Sequence, residues 1–152
     1  MEKYHPVWNR DKETLAIANG AFDCIHVGHI RTLQFAKSNA DKLLVAINSD
    51  ASVRRLKGEG RPINSLTDRM ELIAALECVD FVVSFDEDTP IKLINMIKPT
   101  FIVKGGDYRP EQVAGNEVAQ VLIAPYIDGI STTNLVARIF KAEIHKAWKE
   151  DF

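Results

Sequence analysis

Cysteine is scarce in this chain. Its 152 residues include two, Cys24 and Cys78. They have neither metal-binding nor redox spacing, which argues against a disulfide-stapled scaffold and points to a reducing, cytoplasmic setting. Cys24 lies next to the histidines discussed below and reads as a small buried thiol, not a nucleophile. Long apolar runs are also missing. The longest cover about five or six residues, far short of a membrane span, and the first fifteen residues are mostly polar, without a signal-peptide core. Neither sign of charge dominates: the formal net charge is −2, so there is no basic footprint for nucleic acid or an anionic membrane. No repeat, low-complexity tract or linker interrupts the chain. With 46% apolar and 26% charged residues, it has the makeup of an ordinary globule large enough to bury a core as one domain.

What is present is an alternation. Short apolar runs at Leu15–Ala18, Leu43–Ile47, Phe81–Val83, Phe101–Val103 and Val121–Ala124 read as strands buried on both faces. Helical stretches separate them. Ile30, Leu33 and Ala36 share one face of the first. Ser65-Leu66-Thr67-Asp68 is a capping signal for a helix through Met70, Ile73, Ala74 and Glu77. Thr89-Pro90 starts another that Pro99 ends. The last helix is predicted from about Thr133 to Lys149, with Leu135, Ile139, Phe140, Ile144 and Trp148 on its apolar side. This pattern predicts an α/β, Rossmann-like, doubly wound parallel sheet of five strands with helices on both faces. Residues 1–13 read as an N-terminal extension and 14–152 as a single domain. Ligands of such sheets bind beyond the carboxyl ends of the strands, at the topological switch point.

The segments after strand ends are therefore where chemistry is sought, and His26-Val27-Gly28-His29 stands out. It follows the first strand and the turn Asn19-Gly20, where a helix is about to open. Gly20 lets the backbone turn tightly and approach a ligand, and Gly28 leaves room against the first amides of the helix. Two histidines three residues apart share a helix face and can donate to phosphate oxygens whose charge grows in a transition state. Two other readings remain: a pair of satisfied surface histidines, and a zinc site, for which no third ligand is apparent nearby.

The stretch resembles the HxGH motif of the nucleotidyltransferase superfamily that includes the cytidylyltransferases. Gly129-Ile130-Ser131-Thr132-Thr133 is similar to that superfamily's second signature. Its hydroxyls and amides open the last helix, where the helix dipole favours an anion, and it also reads as a plain helix cap. Asn48-Ser49-Asp50, Arg55-Leu56-Lys57-Gly58, Arg61-Pro62-Ile63-Asn64, Asp68-Arg69-Met70 and Lys104-Gly105-Gly106-Asp107-Tyr108 lie between the two. Together they resemble the adenylyltransferase domain of the heptose-phosphate enzymes of lipopolysaccharide precursor synthesis, over roughly residues 14–140. Cytidylyltransferases acting on glycerol 3-phosphate carry Arg-Thr-x-Gly before Ile-Ser-Thr-Thr. Here the stretch is Tyr126-Ile127-Asp128-Gly129, without the arginine.

The resemblance implies a nucleotidyltransferase that moves AMP from ATP to D-glycero-D-manno-heptose 1-phosphate. It implies His26, His29 and Lys57 as catalytic residues, with Gly20, Ala21, Phe22, Gly28, Arg69, Gly129, Ser131, Thr132 and Thr133 joining both histidines on the nucleotide. Asp23, Asn48, Asp50, Lys57, Lys104, Asp107 and Tyr108 are implied for the sugar phosphate. Mg²⁺ is expected through the triphosphate without a dedicated protein site. A homodimer, and a separate kinase and phosphatase of the same pathway, are the implied partners. A cytidylyltransferase acting on a polyol or amino-alcohol phosphate, and a non-catalytic nucleotide sensor, are the alternatives.

The cationic candidates also have plainer readings. Lys57 sits on a glycine-flanked stretch and can swing onto phosphate, or be a solvated charge. Arg69 offers a bidentate fork or an exposed charge, with Arg54, Arg55 and Arg61 as weaker alternatives. Lys104–Tyr108 reads as a close backbone approach or as a tight turn. His5 and His145 read as surface residues, and Asp86-Glu87-Asp88 as a solvated loop.

Overall fold

A computed structural model describes residues 9–125 and 127–150 of the chain, the side chains of 148–150 excepted. Tyr126, Trp148 as a packing residue, His5 and most of the N-terminal extension lie outside the described residues. The extension's last residues, from Asn9, fold back in a turn, and Arg10 donates to the Ile97 carbonyl at 2.7 Å.

Five parallel strands form one sheet in the order β3-β2-β1-β4-β5. They are β1 (Leu15–Gly20), β2 (Lys42–Asn48), β3 (Phe81–Phe85), β4 (Phe101–Gly105) and β5 (Gln120–Ala124). Each contains its predicted apolar run and extends beyond it at one or both ends. Successive residues of β1 and β2 alternate between two cores, which is why these strands are apolar without interruption. Ala16, Ala18, Leu43, Val45 and Ile47 pack with Leu33, Ala36 and Ile73 on one face. Leu15, Ile17, Leu44 and Ala46 pack with Ile94, Ile97 and Val113 on the other. The sheet is thus covered on both sides by helices, as the sequence predicts.

Five α-helices follow the strands: α1 (Val27–Ser38), α2 (Asp50–Lys57), α3 (Leu66–Ala74), α4 (Ile91–Ile97) and α5 (Thr132–Glu150). Ser65 caps α3, its Oγ accepting from the Asp68 amide. That helix stops at Ala74, short of the expected Glu77, because the chain turns at once to bring the Asp80 amide to the Leu43 carbonyl. Asp80 also accepts from Leu43 N and pairs with Lys37. Pro90, not Thr89, occupies the cap position of α4, and it makes no side-chain bond there. Lys98 closes α4 in a left-handed conformation (φ 51°) and Pro99 prevents its continuation. α2 is not among the helices expected from the sequence. It is a short helix capped by Ser49, whose Oγ accepts from Ser52 N, with Ser52 and Val53 buried beneath it.

α5 departs from the simplest expectation. From Ala137 to Ala147 it is exposed throughout, His145 included, and Ile139, Phe140 and Ile144 lie open to solvent instead of on the sheet. No described helix is long and apolar enough to cross a membrane.

The two kinds of helical apolar residue separate in stability. Leu33→Ala, on the fully buried face of α1, is expected to lower the unfolding free energy in urea by about 2–5 kcal/mol. Met96→Ala, on the solvent side of α4, should stay within about 0.5 kcal/mol of wild type.

Candidate active site

In the strand order, β1 and β4 are neighbours whose connections run to opposite sides, so the switch point lies between their carboxyl ends. A cavity of about 420 Å³ opens there. Gly20 to Asp23, His26, Gly28 and His29 form one side of its lining, with Thr32 and Lys57. Lys104 to Gly106 and Tyr108 come from the end of β4, and Ser131 to Thr133 from the start of α5.

The turn from β1 into α1 is built around the two imidazoles. Phe22 takes a left-handed conformation (φ 48°), uncommon for a side chain of its size. This turns its ring inward against His29, 5.3 Å between centroids. His26 caps α1: its Nδ1 accepts from the Gly28 amide at 3.1 Å. His29 reaches back, Nδ1 accepting from the His26 amide at 3.3 Å. The rings stack at 3.8 Å with a 22° tilt. Gly28 is required by this arrangement, because a Cβ there would meet the His26 ring at 2.9 Å.

With both Nδ1 atoms accepting, each neutral ring carries its proton on Nε2 and offers it as a donor. Burial, the neighbouring His26 and the Lys57 charge lower the His29 pKa to about 4, and burial lowers that of His26. At neutral pH the pair therefore presents two adjacent neutral donors. Placing two imidazolium charges 3.8 Å apart without an anion would be costly. Such a pair suits a phosphate, which supplies the missing negative charge on arrival.

Lys57 is the last residue of α2, at the cavity rim, where Gly58 (φ 98°) ends the helix. The following stretch is tied down. The buried Asp23 carboxylate accepts from the amides of Ile63 and Asn64 at 2.8 Å and pairs with Arg61. Asn64 Nδ2 donates back to the Asp23 carbonyl. Asp23 thus lines the cavity, but its oxygens are occupied in holding residues 61–64 in place.

Arg69 corrects the sequence reading most clearly. The fork expected to hold a phosphate is fully buried at 0% exposure and outside the cavity lining. Its Nε donates to Asn64 O, Nη1 to Ala21 O and Asn48 O, and Nη2 to the Asp50 carboxylate at 2.7 Å. Asn48 and Asp50 share its fate. Asn48 is buried with its amide on Ser52, and Asp50 faces Arg69. Asp107 is exposed outside the lining. Gly129 is also outside it; its left-handed φ of 74° turns the chain into α5, and its carbonyl accepts from Asn134. Arg55 pairs with Asp88 and bonds to the Asp86 carbonyl, and Arg54 lies near Glu59. Ser131 does cap α5, accepting from the Asn134 amide at 3.0 Å, and it also faces the cavity.

Thr32 and Ile127 line the cavity without having been singled out from sequence. Thr32 was within reach of that reading, since it stands one helical turn after Gly28 and its Oγ1 bonds back to the Gly28 carbonyl. It also packs against Gly105, where an added Cβ would lie 2.5 Å from Oγ1. Among the described residues, no three His, Cys, Asp or Glu side chains gather as a metal site.

A doubly wound sheet whose switch-point cavity combines a histidine-capped helix start with a second helix start is built to face anionic groups. The cytidylyltransferase-like family model matches residues 17–138, and the chain belongs to that family. It is 50% identical over 133 residues to the bifunctional protein HldE of Geobacter metallireducens, across 84% of this chain and 27% of that protein. It is 52% identical over 134 residues to HldE of Klebsiella pneumoniae strain 342, across 85% and 28%. The chain thus spans less than a third of the length of these curated relatives. Among solved structures, the lipopolysaccharide core biosynthesis protein from Thermoplasma volcanium GSS1 superposes with a TM-score of 0.65 at 26% identity, covering 76% of this chain and 99% of that one.

The depressed His29 pKa makes stability depend on pH. Below the ordinary value of 6.5 the unfolded chain takes up a proton that the folded chain refuses down to about 4. The stability this gives is complete above pH 6.5 and is lost as pH falls through 4, on the order of 3 kcal/mol in all. His29→Asn, which keeps an acceptor for the His26 amide, is expected to flatten that part of a urea-denaturation pH series.

Proposed function

We propose that this protein transfers AMP from ATP to a sugar 1-phosphate, D-glycero-D-manno-heptose 1-phosphate, releasing pyrophosphate in the synthesis of ADP-heptose. The observation that carries the reading is the stacked His26–His29 pair with both Nε2–H groups available in the cavity that Ser131–Thr133 also line. The choice of acceptor draws on relatives named HldE and on the likeness to a lipopolysaccharide core biosynthesis protein.

In this reading an oxygen of the sugar phosphate attacks the α-phosphorus of ATP. The new P–O bond forms as the bond to the β-phosphate oxygen breaks, and pyrophosphate leaves with the electron pair. The nucleophile is already anionic, so no protein base is needed. Catalysis comes from alignment and from neutralising charge on the phosphates. His26 and His29 donate to phosphate oxygens from the start of α1. The backbone and hydroxyls of Ser131–Thr133 receive the triphosphate at the start of α5. Lys57 adds a full charge from the rim. Mg²⁺ enters as part of the ATP substrate, bound mainly through the triphosphate.

We also read the protein as a homodimer. The exposed Ile139, Phe140 and Ile144 supply α5 with a contact face.

A pyrophosphate-release screen crossing ATP and CTP with sugar 1-phosphates and polyol phosphates tests the reaction. Turnover is expected with ATP and a heptose 1-phosphate, and preference for CTP with a polyol phosphate would overturn the assignment. His29→Ala should lower turnover roughly a hundredfold with its circular dichroism unchanged; wild-type release from that variant would remove the histidine from the mechanism. Light scattering should give twice the 17.0 kDa chain mass, and Phe140→Glu should return the monomer. A wild-type protein of single-chain mass would refute the dimer.

A further inference from the structure

Phe22 holds a backbone conformation that its side chain disfavours. In the left-handed region, at φ 48°, its Cβ crowds backbone oxygen. Such a residue persists only where the surrounding structure over-determines it. The consequence is the place of its ring, which is buried against Gly20 and lies 5.3 Å from the His29 ring between centroids. His29 thus packs against two rings, that of Phe22 and the stacked one of His26. A Phe22 with an ordinary negative φ would send its ring in another direction and leave His29 with one.

The restraints on Phe22 come from behind the cavity and act on both of its neighbours. Before it, the Ala21 carbonyl accepts from Arg69 Nη1 at 2.6 Å. After it, Asp23 is held at two points by Asn64. The Asn64 amide donates to the Asp23 carboxylate at 2.8 Å, and Asn64 Nδ2 donates to the Asp23 carbonyl at 2.6 Å. Arg69 Nε in turn donates to the Asn64 carbonyl at 3.1 Å, which joins the two restraints.

Asn64 is half-buried and outside the cavity lining, so its side chain acts on the turn and not on a ligand. Its main-chain bonds would survive a change of side chain. The bond from Nδ2 would not, because it needs a donor at that reach. That bond is also the one that grips the main chain of Asp23, on the far side of Phe22 from Arg69. Without it, the turn is pinned firmly on one side only, and Phe22 is free to relieve its strain.

We propose that Asn64 is a positioning residue: through the Asp23 carbonyl it keeps Phe22 left-handed, and the Phe22 ring then seats His29 for donation to phosphate. The donation to phosphate rests on the transfer reading above, whereas the seating of the ring does not.

The test compares wild type with Asn64→Ala, with Asn64→Leu (nearly the same shape, no donor), with Phe22→Ala, and with Asn64→Ala and Phe22→Ala combined. One readout is the titration of the His29 ring by NMR. The other is kcat and KM from pyrophosphate release with ATP and the sugar 1-phosphate. In wild type, burial, the neighbouring His26 and the Lys57 charge place the His29 pKa at about 4. Both Asn64 variants should move it up toward the ordinary 6.5, because the Phe22 ring no longer covers the imidazole. Their kcat should fall roughly ten- to a hundredfold, with both KM values within about twofold of wild type. Where Phe22→Ala has already removed the ring, adding Asn64→Ala should change kcat by less than about twofold more. An unmoved His29 titration in whichever Asn64 variant folds would overturn the proposal. So would a full multiplied loss in the combined variant, since Asn64 would then act by a route other than Phe22. Were wild type to release no pyrophosphate with any acceptor, the transfer reading would fail on its own, and the His29 titrations would still decide the seating.

Discussion

The buried guanidinium of Arg69 is the interaction on which the site depends. Four of its five N–H groups are matched by three main-chain carbonyls and the Asp50 carboxylate. Those acceptors come from the β1–α1 turn, the end of β2, the start of α2 and the loop before α3. A charge without exposure is tolerable only when it is paired and hydrogen-bonded, and here those bonds join four segments at one point. The turn that presents Phe22 and the histidines, and the helix that ends at Lys57, are held by the same side chain. Asp23 does the reverse task nearby, a buried carboxylate gathering the amides of residues 63 and 64.

Around this base, the proposed function has the cavity bind anions through two sources. Helix starts supply amides and partial charge, from α1 and α5. Side chains supply donors of different strength: imidazoles kept neutral by burial and mutual repulsion, and two lysines that remain without carboxylate partners among the described residues. Neutral donors placed where phosphate charge develops cost little when the site is empty and act most strongly once an anion has displaced water. The His26–Gly28 contact shows how tightly this is specified, because the ring that caps the helix lies over the position a side chain at 28 would take.

Much of this was legible in the chain. Uninterrupted apolar runs identified the strands because a parallel sheet covered on both faces has no polar side. Ser65 and Pro99 marked helix ends by local chemistry. His26-Val27-Gly28-His29 and Gly129–Thr133 identified the two turns. The errors share a cause. α2 was missed because its apolar content is slight, and its place depends on Ser52 and Val53 meeting the sheet. Arg69 looked like a ligand because nothing local distinguishes an arginine that faces phosphate from one that faces carbonyls.

The sequence alone determined the parallel α/β plan and the switch-point turn, since both follow from short-range periodicity and from residues a few positions apart. Only the tertiary structure decided which cations face the ligand. Arg69 is withdrawn by an acceptor 48 residues away, at Ala21, whereas Lys104 lines the cavity with no carboxylate paired to it among the described residues. A charged side chain's role is set by burial and by which partners reach it, and both are properties of the folded chain.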